Sequence, residues 1–69
     1  MGHGGMSVLI RLRTKRDVDV LLKRYQELSL GEPVSVNYEE KAVYFRFRDK
    51  EAMRRGFEVF KQIVFNAPT

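Results

Sequence analysis

The side chains best suited to hold a ligand are the arginines and the tyrosine of "YFRFR", residues 44–48. The stretch reads as a β-strand, in which alternate residues face opposite ways. Phe45 and Phe47 then point to one side, and Tyr44, Arg46 and Arg48 to the other. A second alternating stretch, "SVLIRLR" at 7–13, puts Val8, Ile10 and Leu12 on one face and Leu9, Arg11 and Arg13 on the other. Guanidinium groups match phosphate oxygens and aromatic faces. Like charges side by side on a sheet repel, and a polyanion would relieve that repulsion. Tyr44 among them can stack on a base, worth about 1–3 kcal/mol where such stacking occurs. Arg11, Arg13, Tyr44, Arg46 and Arg48 are therefore the candidate nucleic-acid-binding residues. RNA is the favoured polyanion for an open sheet face.

The net charge of +4 falls on the same side chains. Residues 14–29 and 49–64 each carry four bases and three acids, and the segment from Glu32 to Lys41 carries three acids and one base. The four remaining arginines equal the whole excess, with no acid expected between them. The competing account is a solvated face, on which Glu39 or Asp49 pairs with some of these arginines.

Five elements must position the arginine face. Strand 7–13 is followed by a helical period over 14–29, with Val18, Leu21, Leu22, Tyr25 and Leu28 on one stripe. Thr14 and Asp17 resemble an N-terminal cap pair, and Gly31 with Pro33 supplies the stop. A strand over 33–38 shows Val34, Val36 and Tyr38 on one face, and Glu39–Glu40 is the hairpin tip. Strand 41–48 leads to Asp49, a cap for a helix over 49–64. That helix has a wide apolar face of Ala52, Met53, Gly56, Phe57, Phe60, Ile63 and Val64. Gly56 costs about 1 kcal/mol in a helix interior, so a close contact is expected there. The expected fold is α+β, a split β-α-β arrangement that is ferredoxin-like without the fourth strand. Its three antiparallel strands take the order 1-3-2, with two helices on one face. The first strand keeps a bare edge, which invites pairing. A small chain with no staples often gains core by oligomerising.

Composition closes other routes. A chain of 69 residues is one domain near the lower size for an unaided core. Residues 1–5 are expected to be a disordered, non-native leader with Met6 as the native start, and 6–69 the domain. With no cysteine there is no disulfide framework, and the single histidine, His3, lies in that leader. No Gly-rich phosphate loop or catalytically spaced carboxylate pair is present, and Glu39 and Glu40 are merely consecutive. No enzyme activity, metal or cofactor is expected. No apolar run approaches the ~20 residues that span a bilayer, and no signal peptide is visible, so a cytoplasmic location without membrane contact is expected. Charged residues make up 32% of the chain and Asn plus Gln only four, a balance that suits a thermophile.

Two resemblances bear on function. "EKAVYFRF" at 40–47 is similar to the third-strand octamer of the RNA-recognition motif. Tyr44 falls at a stacking position and Phe47 at a buried one, while Ala42 and Leu9 replace the other two stacking residues. Over residues 7–64 the chain also resembles the small dimerising subunit of the KEOPS complex, which makes threonylcarbamoyl-adenosine on tRNA. "DKEAMRRGFEVFKQIV" is similar to that family's last helix, with Met53–Arg54 at its leucine-arginine pair, and "VSVNYEEKAVYFRFRD" to its hairpin. Glu58–Val59 departs from the family's usual Asn-Ser, which leaves room for a divergent paralogue. The resemblance implies a non-catalytic subunit that dimerises, with itself or a paralogue, holds a protein partner through its helices and helps engage tRNA. Met53, Arg54, Phe57 and Phe60 are then the partner-binding candidates. The alternative is a protein-only interaction module, such as a small regulator or a viral protein. A small-molecule regulatory domain ranks last, because "SLGEP" offers one Gly where such domains usually have Gly-rich turns.

Overall fold

The computed structural model describes residues 6–65. The elements follow the order β1 (Met6–Arg11), α1 (Lys15–Glu27), β2 (Gly31–Asn37), β3 (Ala42–Phe47) and α2 (Lys50–Phe65). The strands form one antiparallel sheet in the order β1-β3-β2. Expectations for residues 1–5 and for the tail at 66–69 lie outside the described residues.

Each helix begins where a side-chain oxygen replaces a missing backbone partner. Thr14 Oγ1 accepts from the Asp17 amide at 3.0 Å, and Asp49 Oδ1 accepts from the Ala52 amide at 2.8 Å. The end of α1 differs from expectation. Gly31 does not stop it; Ser29 does, in the left-handed region at φ 55°. The Leu30 amide then donates to the Tyr25 carbonyl and the Ser29 amide to that of Gln26, which closes the last turn. Gly31 instead opens β2. A Cβ there would strike the Arg46 carbonyl of the neighbouring strand.

β2 also departs from simple alternation. The register slips between Pro33 and Ser35, so Val34 is an extra residue in the strand and is 53% exposed. The expected shared face of Val34 and Val36 is thereby broken. Bulges and prolines concentrate on edge strands, where a lost ladder bond faces solvent. Tyr38 lies just past β2, and its hydroxyl donates to Asp19 Oδ1 of α1 at 2.6 Å.

Both helices cover the sheet face that carries Ile10, Val43, Phe45 and Phe47. α1 contributes Val18, Leu21 and Tyr25 to this core, and α2 contributes Ala52 and Val59. Tyr25, Phe45 and Phe47 form an aromatic triangle with ring centroids 4.9–5.4 Å apart. The buried Tyr25 hydroxyl donates to the Gly56 carbonyl at 2.7 Å. Gly56 lies so close to Phe47 that a Cβ there would come within 2.7 Å of the Phe47 Cζ atom. The close contact expected from the sequence is this one.

Gly56→Ala is accordingly expected to destabilise by about 1–3 kcal/mol, the range for forcing a methyl into a packed core, although alanine is the better helix former. A urea melt checks this. Tyr25→Phe is expected to cost about 1 kcal/mol through the lost hydrogen bond. Burial raises the Tyr25 phenol pKa, and the hydrogen bond to Asp19, followed by desolvation and the Asp19 charge, raises that of Tyr38. Unfolded tyrosine ionises near ~10. The folded chain therefore keeps this stabilisation below that pH and loses it as the pH climbs toward the raised values. Melts at neutral pH and near pH 11 should show a shallower alkaline loss in Tyr25→Phe than in the parent.

Candidate functional site

The register defines the open face row by row. Arg46 lies between Ser7 and Glu32, Tyr44 between Leu9 and Ser35, and Ala42 between Arg11 and Asn37. Tyr44 and Arg46 are exposed because they alternate on β3 with the buried Val43, Phe45 and Phe47, whereas Ala42, at the Arg11 end, is itself buried. Tyr44 is 42% exposed and its cross-strand neighbour Leu9 55% exposed, so an apolar pair sits at the centre of the face.

Three expectations about this face are corrected. First, Arg11 and Arg46 are not adjacent. Four β3 positions separate Arg46 from Ala42, the partner of Arg11, which is about 14 Å at ~3.4 Å per residue. The arginines mark opposite ends of the face, with Leu9 and Tyr44 between them. Second, Arg13 leaves the face. β1 ends at Arg11, and Arg13 Nη1 donates to the Val64 carbonyl at 2.7 Å, near the C-terminal end of α2. The unpaired carbonyls and the negative end of the helix dipole favour a cation there. Third, an acid does stand among the arginines, because Glu32 is directly opposite Arg46.

Arg48 follows the last residue of β3, and its amide donates to the Leu30 carbonyl at 2.9 Å. With Gly31, Glu32, Arg46 and Phe47 it lines a depression at this end of the sheet. Among the described residues the one ion pair within 4.0 Å is Lys61–Glu58, at 3.9 Å, so Arg11, Arg46 and Arg48 keep their charges free for a ligand. Asp49 caps α2 rather than pairing with an arginine.

The partner-binding candidates divide between two flanks of α2. Gly56 and Val59 face the core, and the flank toward α1 carries Arg54, Arg55 and Glu58 in a groove with Arg24 and Leu28. Met53, Phe57, Phe60 and Val64 recur at spacings of three and four on the flank away from α1. Met53, Phe60 and Val64 are half-buried, and Phe57 is 41% exposed. This flank lies on the β1 side, since Arg13, two residues past β1, reaches Val64. Arg54 therefore belongs to a different surface from Met53, Phe57 and Phe60.

Sequence reasoning missed Glu32 as a member of the face. The charge pattern groups it with the hairpin acids, because periodicity starts β2 at Pro33, whereas the strand begins at Gly31. Among the described residues no group of three or more His, Cys, Asp or Glu side chains converges as metal ligands would. No described helix is long and apolar enough to cross a membrane. Comparison with known proteins finds no matching family model, no matching curated protein and no matching solved structure.

Arg13→Gln tests the corrected placement. It is expected to lower stability by about 0.5 kcal/mol, within the range for a cation at a helix C-terminus. Polyanion affinity should fall much less than for the same change at Arg46. Thermal melts and binding titrations of the two variants check this.

Proposed function

We propose that this chain is a non-catalytic RNA-associated module that works as a dimer. The observation that carries the reading is the exposed Leu9–Tyr44 pair at the centre of the open face, flanked at both ends by arginines without an ion pair among the described residues. An aromatic face stacks on any base, while guanidiniums take the phosphates on either side. A single strand suits this layout, because its bases are free to lie flat on the sheet. The likeness of residues 7–64 to the dimerising subunit of the tRNA threonylcarbamoyl-adenosine complex supports tRNA as the ligand and a role as an accessory subunit or divergent paralogue.

The dimer reading rests on two features that share one side of the molecule. Among the described residues no strand pairs with the outer edge of β1. The Met53–Phe57–Phe60 flank of α2 lies on that same side. Antiparallel pairing of two β1 edges would bring two such flanks together and join two sheets into one of six strands. These features also favour the second reading, a module that binds protein alone, and RNA binding separates the two.

The double variant Arg11→Gln/Arg46→Gln is expected to bind single-stranded RNA at least tenfold more weakly at 0.1 M salt. Its salt slope should shrink by about 1.4, or ~0.7 for each lost phosphate contact. Tyr44→Ala should lose about 5- to 150-fold, the equivalent of ~1–3 kcal/mol of stacking, with the slope unchanged. If the double variant binds as the parent does with an unchanged melt, the open face is only a solvated surface. For assembly, light scattering is expected to give twice the 8.1 kDa chain mass. Phe57→Glu should return it to the monomer value.

A further inference from the structure

Glu32 is out of place on a surface that meets phosphate. It is the one acid among the strand residues of the open face, and its charge opposes any polyanion there. It is exposed, opposite Arg46 in the register, and among the described residues forms no ion pair within 4.0 Å. Tyr44 is its diagonal neighbour across the β2–β3 pair, one row on. Such neighbours lie about 7–8 Å apart, within reach of the edge of a base lying over the tyrosine ring.

A carboxylate only accepts hydrogen bonds, through two oxygens set side by side. Guanine is the base that matches, because its Watson–Crick edge offers N1–H and the N2 amino group next to one another. Uracil presents a single N–H between two carbonyls, and its oxygens would be repelled. Single-stranded RNA is commonly read on this edge once its bases are splayed out. We infer that Glu32 selects guanine at the nucleotide stacked on Tyr44, while Arg46 and Arg48 hold the adjoining phosphates. This inference rests on the open face being an RNA site. It assigns a role to the depression lined by Glu32, Arg46 and Arg48, which charge attraction alone does not explain.

Fluorescence anisotropy at one fixed salt concentration tests it, using the whole chain. The probes are decauridylate, the same oligomer with one central guanosine, and the same oligomer with inosine in its place. Inosine keeps N1–H and lacks the N2 amino group. The parent is expected to bind the guanosine oligomer about tenfold more tightly than decauridylate, as one good bidentate contact allows, with inosine closer to uridine than to guanosine. Glu32→Gln should bind decauridylate at least as tightly as the parent, having lost a repelling charge, and should discriminate by no more than about twofold. Its melting curve should match the parent's. Equal binding of all three oligomers by the parent overturns the guanine assignment and leaves the RNA reading standing. A tenfold preference that survives Glu32→Gln also overturns it, because the selection then lies elsewhere. No binding to any oligomer removes both readings.

Discussion

The close approach of α2 to β3 at Gly56 governs the rest of the architecture. With no side chain at that position the helix settles against the ring of Phe47, and its carbonyl accepts the Tyr25 hydroxyl at 2.7 Å. Tyr25 comes from the other helix, so a single hydrogen bond ties α1 to α2 directly above the sheet. A buried hydroxyl without a partner costs about 1–3 kcal/mol, which makes this seating strongly preferred over a shifted one. Phe45 completes the triangle with Tyr25 and Phe47. Strand periodicity carries the consequence outward. A slip of one residue would exchange the faces of β3 and bury Arg46 in place of Phe45. Tyr44 and Arg46 are therefore exposed by the same packing that fixes the core.

The two surfaces available for binding are separate. The open sheet face carries Leu9, Tyr44 and the free arginines, whereas the apolar flank of α2 lies beside the edge of β1 on the helical side. Arg13 belongs to this second region, since its guanidinium joins the end of β1 to the end of α2. A partner on the flank would leave the sheet face uncovered. β2, the other edge, is exposed along its whole length, but its bulge at Val34 and its proline at 33 interrupt the ladder. Such features discourage strand pairing. β1 has neither bulge nor proline, so the two edges are not equivalent as docking sites.

The order of elements, the sheet order and the core were legible because they follow from periodicity. Val8, Ile10 and Leu12 alternate, while Val18, Leu21 and Tyr25 recur at helical spacing, and each set lands where its period places it. The glycine in α2 was legible through its cost. The failures share a cause in exceptional backbone geometry that residue type does not announce. Ser29 takes a left-handed conformation usually given to glycine, so α1 ends earlier than periodicity predicts and without Gly31 as its stop. An unsignalled bulge moved Val34 off its expected face. For the site, residue types revealed the arginines and the tyrosine but not their neighbours. Which side chains are adjacent depends on the register between strands remote in sequence. For that reason residue types alone neither bring Glu32 to the face nor separate Arg11 from Arg46.

That register changes the electrostatics of the proposed site. In the sequence, four arginines account for the whole excess charge. In the structure, Arg13 serves the helix end and Glu32 opposes Arg46, leaving three arginines against one glutamate on the open face. Three phosphate contacts give a salt slope of only about −2 on a single strand, which is modest for a nucleic-acid-binding protein. On the proposed RNA reading, charge alone would hold the strand weakly, and stacking on Tyr44 would supply much of the affinity of one copy. Pairing of two β1 edges about a twofold axis would place both open faces on the same side of a single sheet. The second face then meets the RNA already tethered, and such linkage can raise overall affinity by about 10²–10⁴ without any new contact. In the proposed dimer, pairing through the bare edge would thus be physically coupled to RNA binding through the open face. The weak charge of one face would become adequate once two were joined, and the Arg11 ends, which lie on the strands that would meet, would be brought closest to the junction.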